Sequence, residues 1–312
     1  VSDRVRAGVG AVVLAGWGVI ALAAPLLPLR DPNAQPDGLV LRTLPPMTRV
    51  ATLLGKDGSI RYAQEIRRDP DGGLSFRRGA EWTKVADPSP LPGSALFVLG
   101  TDSYGRDLLS RLIWGARVSL VAGILAALVA VVIGGSVGLL AGLAGGRVDA
   151  VLMRLTDAAL AIPRLFLLLL LAALFRPSLA TTVVLVGTTT WMVAARLVRG
   201  EVLSVRERDF VAAARAAGAS PLRLSLRHVL PHVAAVLGVE AALRLGQAVL
   251  LEASLSFLGL GVPPPVSSWG GLIADGRDRL LDAWWIATWP GIALAGVVVA
   301  ASLVADGARR RL

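Results

Sequence analysis

The chain has 312 residues, 54% of them hydrophobic, and a mean hydropathy of +0.66, which excludes an ordinary soluble domain of this length and points to a bilayer as solvent. A formal net charge of +10 invites nucleic acid as a partner, but the cations are spread over segments flanking apolar runs, so that reading ranks lowest. Cysteine is absent, which excludes disulfides, thiolate metal sites and a cysteine nucleophile.

In chain order, the first apolar window is residues 7–29, preceded by Arg4 and Arg6. A secretory leader looks similar, but this run is longer than a leader's core, and the Pro-Leu-Leu-Pro that follows offers no small-residue cleavage site. A retained span is expected. Windows 118–144, 177–195 and 283–305 also lack charge over a length that crosses about 30 Å of hydrocarbon at about 1.5 Å per residue. Two more windows are interrupted: 158–175 by Pro163 and Arg164, and 229–251 by Glu240 and Arg244. The expected fold class is therefore an all-α membrane protein with six transmembrane helices.

Six spans put both termini on one side, and the short basic segments select it. Arg4 and Arg6 begin the chain, Arg309, Arg310 and Arg311 end it, and 196–227 carries seven arginines against Glu201, Glu207 and Asp209. That shared face is expected to be cytoplasmic. Residues 30–115 then lie outside; the segment is too long for the rule to bind, and its acids nearly balance its bases. Within it, Lys-Asp-Gly-Ser at 56–59 and Asp-Pro-Asp-Gly-Gly at 69–73 separate loosely alternating runs. They predict a small antiparallel meander, a β-rich extracytoplasmic insertion within 30–98, with an irregular solvated insertion as the alternative. The expected divisions are 1–29, 30–98 and 99–312, the last carrying a cytoplasmic loop at 199–231.

That loop is too long for a simple turn. In "RDFVAAARAAG", strong helix formers run from Val211 to Ala217, Asp209 favours the helix dipole and Gly218 is a natural stop. "SPLRLSLRHVL" restarts: Ser220 can cap, Pro221 suits the first helical position, and Leu222, Leu226 and Val229 share a face. Two short helices with a glycine corner are expected. The alanines make the first one slim enough for another protein to approach closely, while its arginines would equally suit lipid headgroups.

The segment resembles the EAA loop of binding-protein-dependent ABC importer permeases, whose pattern is Glu-Ala-Ala, a glycine four residues after the second alanine, and a Leu-Pro about a dozen further on. Ala213, Ala214, Gly218, Leu230 and Pro231 match, while Ala212 stands where the family has glutamate. The resemblance implies that 212–219, Arg215 and Ala219 included, forms a coupling helix that docks on an ATPase subunit, with one contact altered by Ala212. Three further stretches are similar to the dipeptide and oligopeptide branch, and specifically to its second permease subunit. They are "LGTDSYGRDLLSRLIWGARVSL" at 99–120, with Gly100, Thr101, Asp102, Gly105, Arg106 and Asp107; "DAVLMRLTDAALAIPRLFLLL" at 149–169, with Arg154, Asp157 and Pro163; and "EASLSFLGLGVPPPVSSWG" at 252–270. The resemblance covers about 99–312 and does not extend to the insertion around 40–97.

It implies a type I ABC importer permease fold in the cytoplasmic membrane. The implied partners are a sister permease subunit, two ATP-binding subunits that use ATP and magnesium, and an extracytoplasmic substrate-binding protein. No cofactor is expected on this chain, which lacks a Gly-x-x-x-x-Gly-Lys-Ser/Thr loop and so cannot hydrolyse ATP itself. Short peptides are the expected cargo; nickel, sugars or other solutes carried by relatives are the alternatives.

Several polar residues fall within the spans. Glu240 and Arg244 lie four apart on one helix face and are expected to pair, either as a neutral helix seam or as a lining of the substrate path together with Glu252. Arg154 and Asp157, three apart, are expected to pair and fix the approach angle of the third span. His228 and His232 have a metal spacing, but Pro231 separates them and no third ligand is near, so no metal is expected. An intramembrane peptidase would need a serine/histidine dyad or metal cluster at depth, and no motif surrounds a candidate serine. In "GLGVPPPVSSWGG" at 259–271 the tryptophan suits a membrane interface, in an external lip or a rigid re-entrant hairpin.

Overall fold

Hydrocarbon offers a bare peptide group no partner, so the apolar stretches of this sequence must close their hydrogen bonds internally as helices. The computed structural model describes residues 3–54, 60–70, 73–84 and 91–309. It opens with α1 (Asp3–Ala23). Six strands follow: β1 (Thr48–Leu54), β2 (Ile60–Ala63), β3 (Glu65–Arg68), β4 (Leu74–Arg78), β5 (Glu81–Lys84) and β6 (Leu91–Phe97). The remainder is helical: α2 (Leu108–Ala144), α3 (Gly146–Ala161), α4 (Arg164–Leu174), α5 (Leu179–Thr188), α6 (Met192–Arg206), α7 (Asp209–Ala216), α8 (Pro221–Leu224), α9 (Leu230–Phe257), α10 (Trp269–Arg277) and α11 (Trp285–Arg309).

Among the described residues four helices are long and apolar enough to cross a membrane, namely α1, α2, α9 and α11, and up to six spans result if the bent pairs α3–α4 and α5–α6 each count as one. Each bend has a local cause. At the first, 85° wide, Pro163 has no N–H to donate, and Ile162 before it is extended at φ −82°, ψ 125°, as a residue preceding proline must be. At the second, 43° wide, three successive threonine hydroxyls donate to carbonyls four residues back: Thr188 to Val184 at 2.6 Å, Thr189 to Leu185 at 2.7 Å and Thr190 to Val186 at 2.7 Å. Such back-bonding competes with the helix ladder and bends it.

The second span differs from its expected limits, because α2 begins ten residues before the charge-free window, at Leu108. Arg111 and Arg117 interrupt the apolar run without interrupting the helix, whose start is capped by Asp107, accepting from the Ser110 N–H at 2.9 Å.

Contacts divide the chain into two compact units that do not follow chain order: 1–19, 118–263 and 294–312 in one, 20–117 and 264–293 in the other. The second contains the strands. They form two antiparallel three-stranded sheets ordered β2-β1-β6 and β3-β4-β5. The second sheet is a simple meander; in the first, β6 returns along the whole of β1, from Thr48 opposite Phe97 to Leu54 opposite Leu91. Val50, Tyr62 and Phe97 share a core with Val40 and Leu41. The expected turn at 56–59, residues 71–72 of the turn at 69–73, and Arg310 and Arg311 lie outside the described residues.

Candidate functional site

α6 ends at Arg206, whose Nη1 donates to the Gly142 and Leu143 carbonyls at 2.6 and 3.2 Å, satisfying the bare end of α2. After a two-residue step α7 begins at Asp209, an acid in the first turn, where it complements the helix dipole. It stops as the sequence predicts. Gly218 has φ +82°, a conformation that costs any side chain with a Cβ, and the Ala219 N–H reaches back to the Ala214 carbonyl at 3.1 Å in a Schellman closure. The Ser220 hydroxyl then accepts from the Arg223 N–H at 3.3 Å, with Pro221 at the first position of α8.

The expectation of two separate short helices needs correcting on the C-terminal side. α8 does not end; it runs through one wide turn, Ser225–Val229, directly into α9. The Leu230 N–H bonds to the Ser225 carbonyl, five residues back. Pro231 explains the widening: its ring would press on the carbonyl four residues earlier in a regular α-helix, and the extra residue in the turn relieves that pressure.

Val211, Leu224 and Val229 are buried against Val198, Val202 and Val205 of α6, with Ala214 and Ala219 partly buried beside them. A cavity of about 420 Å³ opens within this cluster, bordered by Leu143, Arg206, Val211, Leu224 and Ser225. Phe210 lies 6.4 Å from the His228 ring and 5.2 Å from the His232 ring, so both histidines contact α7. Outward, Ala212, Ala213, Ala216, Ala217 and Gly218 are all exposed. Among the described side chains, the exposed positions from Ala212 to Gly218 thus carry only methyl groups and bare backbone. The side chains of Arg215, Leu222 and Leu226 lie outside the described residues; Leu230 is half-buried and Pro231 exposed.

The helices behind α7 are locked by contacts that sequence reasoning passed over. Gly134, Gly138 and Gly142 recur every four residues on α2 and face α6. A methyl group on them would lie 2.4 Å from the Trp191 carbonyl oxygen, 2.4 Å from that of Ala195 and 2.6 Å from Val202 Cγ1, respectively. Small residues at this spacing let helix backbones meet, and the spacing was visible in "GGSVGLLAG". Across the α3–α6 seam, Arg199 Nη2 donates to Asp149 Oδ2 at 2.6 Å and Arg196 Nε to Asp157 Oδ1 at 3.1 Å. Asp157 therefore pairs with Arg196 and not with Arg154, which is exposed; a spacing of three permits a pair, but a guanidinium on the facing helix competes for it.

Glu240 and Arg244 do pair as expected: Arg244 Nε donates to Glu240 Oε1 at 2.5 Å, and both residues are buried. Arg244 Nη1 also donates to Gln247 Oε1 at 2.9 Å, and Arg164 Nη1 approaches the same oxygen at 3.4 Å. Glu252, 1% exposed, accepts from Ser119 at 2.9 Å and Ser256 at 2.8 Å, joining α2 to α9.

In the other unit, 100–107 is a tight knot. Gly100 and Gly105 take φ +81° and +77°. The Leu44 N–H donates to the Thr101 hydroxyl at 2.8 Å, and the Trp285 indole to the Thr101 carbonyl at 3.2 Å. Asp102 accepts from Arg106 Nε at 2.6 Å and from the Tyr104 N–H at 2.9 Å. Asp107 caps α2 and meets Arg30 at 3.3 Å. Arg106 and Arg111 both approach Asp275, at 3.3 and 3.6 Å; burial pushes the Asp275 carboxyl up, against the pull of these two cations. These contacts make the motif a structural anchor. Trp269 is fully buried, its indole satisfied by the Leu112 carbonyl at 3.1 Å, which suits a hairpin packed against its neighbours.

Among the described residues no group of histidine, aspartate and glutamate could hold a metal ion. Residues 134–312 match the family model described as binding-protein-dependent transport system inner membrane component. Over 220 residues the chain is 43% identical to a di/tripeptide transport system permease protein of Pseudomonas aeruginosa, covering 70% of this chain and 73% of that one. It is 39% identical over 235 residues to a probable D,D-dipeptide transport system permease protein of Escherichia coli, covering 73% and 79%. It is also 34% identical over 232 residues to an oligopeptide transport system permease protein of Haemophilus influenzae, covering 74% of each.

Proposed function

Since the chain belongs to the family of binding-protein-dependent transport system inner membrane components, we propose that it is a permease subunit through which an ATP-driven importer passes short peptides, with α7 as its coupling helix. The outward face of α7 carries the coupling reading. Ala212, Ala213, Ala216 and Gly218 present only methyl groups and backbone, so a partner's groove can close on the helix axis itself. The peptide cargo is supported by the relatives, three of which are named for di/tripeptide, D,D-dipeptide and oligopeptide transport.

In this reading the 199–231 loop and both termini are cytoplasmic, the strands of 48–97 are extracytoplasmic, and a sister permease subunit completes the path. Two ATP-binding subunits bind ATP and magnesium, an external binding protein delivers the cargo, and this chain holds no cofactor. Arg206, bonded to the end of α2, and the glycine seam behind it tie α7 to α2 and α6. Movement of α7 would then displace those helices together, as alternation between two packed states requires.

The test is uptake of labelled dipeptide into proteoliposomes containing the complete transporter. Uptake should require ATP and the loaded binding protein, and the purified chain alone should hydrolyse no ATP. ATP hydrolysis by the chain alone, or peptide uptake without nucleotide, would contradict the proposal.

A further inference from the structure

The mid-span polar cluster contains more positive than negative charge. Glu240 is bonded to Arg244, and Arg164 meets Gln247 Oε1 at 3.4 Å; among the described residues no carboxylate is within ion-pair distance of Arg164, although Glu240 is near enough to attract it. It begins α4 at the break in the bent pair 146–174, and it contacts Gln247 within the candidate span 227–257.

Its orientation follows from its own helix. Leu168, four residues on, and Ala172, eight on, are buried in a cluster with Leu185 and Val186 of α5 and Ala248 and Leu255 of α9, whereas Phe166, Leu170 and Leu174 on other faces are 70%, 63% and 71% exposed. Arg164 therefore lies on the bundle-facing side of α4. It is still only half-buried, and Gln247 is exposed. A half-buried guanidinium and an exposed amide within candidate spans, on the bundle-facing side, require an aqueous or anionic counterpart. The positive end of the α4 dipole adds to the same field.

Resting on the peptide reading above, the geometry points to Arg164 as a specificity-determining residue that takes the cargo's carboxylate at mid-span. Gln247, itself held by Arg244, positions it. Three features suit this role. Every unblocked peptide carries a terminal carboxylate. A guanidinium receives a carboxylate through two parallel N–H donors. Its present hold on a neutral amide is long, so contact with cargo would be gained and released without breaking a buried ion pair, as passage through a transport path demands.

The experiment compares uptake of a free dipeptide with that of its C-terminal amide by the complete transporter carrying Arg164, Arg164→Lys or Arg164→Gln. The binding protein's own preference is common to all three and cancels. Loss of one charge-assisted hydrogen-bonding group predicts that Arg164→Gln lowers the free-to-amide ratio by about tenfold or more, with Arg164→Lys between. An unchanged ratio, or equal loss on both peptides in an intact complex, would overturn the assignment. So would loss of the sister subunit on co-purification while the chain still melts cooperatively, because the carboxylate would then be the sister's. If Arg164→Gln does not fold, Arg164→Lys decides by the same ratio, an unchanged value again overturning it. Failure of the unmodified transporter to take up either peptide would sink the cargo reading itself, and this inference with it.

Discussion

Gly218 is the residue at which backbone conformation and proposed function meet. Its φ is +82° and no atom lies within 4 Å of where a Cβ would be, so a substitution there acts through the backbone and not through a clash. Left-handed backbone costs a branched residue about 1–2 kcal/mol, enough to shift an equilibrium about tenfold. Gly218→Val should therefore reduce binding-protein-stimulated ATP hydrolysis by about tenfold, measured on the reconstituted complex, while the complex still assembles. Ala212 offers the opposite experiment. It is exposed, so Ala212→Glu should leave chain stability within about 0.5 kcal/mol and raise the stimulated hydrolysis by returning the carboxylate missing from the coupling motif; a fall would show that the methyl surface itself is selected.

At this scale the sequence was legible where local covalent geometry decides. Gly218 as a stop, Ser220 as a cap and the Glu240–Arg244 pair all follow from spacing along one helix. Spacing along α3 pairs Asp157 with Arg154, but the pair is settled by a group far away in sequence, the Arg196 guanidinium, just as the burial of Trp269 is settled by the distant Leu112 carbonyl.

Between elements, the decisive feature is the seam of α2 against α6. Gly138 lies where any Cβ would meet the Ala195 carbonyl oxygen at 2.4 Å and Val198 Cβ at 2.8 Å. Backbone cannot rotate away as a side-chain tip can, so Gly138→Val should lose about 1–3 kcal/mol through overpacking. It should appear as a lower melting temperature of the detergent-purified chain. Gly8→Val on α1, where no atom lies within 4 Å, should leave the melting temperature nearly unchanged. Equal melting of the two variants would contradict this packing. The kink at Pro163 could be read from one residue. The bend at 188–191 could not be read as an interruption, since threonine is apolar enough for a span and bends the helix only when its hydroxyl turns back to the carbonyl ladder. α9 likewise runs on past the apolar window 229–251 to Phe257, and at its start a wide turn absorbs Pro231 and joins it to α8.

At the scale of the whole chain, hydropathy identified a polytopic membrane protein, and composition separated the strand-rich segment from the spans. It could not show that β6 returns to pair along β1, nor that 264–293 groups with 20–117, since both depend on long-range packing. The central claim is that the exposed face of α7 meets an ATP-binding subunit, and the absence of cysteine from the chain makes it directly testable. Ala212→Cys and, on the fully exposed strand β5, Trp82→Cys would each be the only thiol in the subunit. Treated with a thiol-to-amine cross-linker in the assembled transporter, Ala212→Cys should join to the ATP-binding subunit with a yield that changes on ATP addition, and Trp82→Cys should not. A cross-link to that subunit from Trp82→Cys, with none from Ala212→Cys, would contradict both the coupling assignment and the orientation.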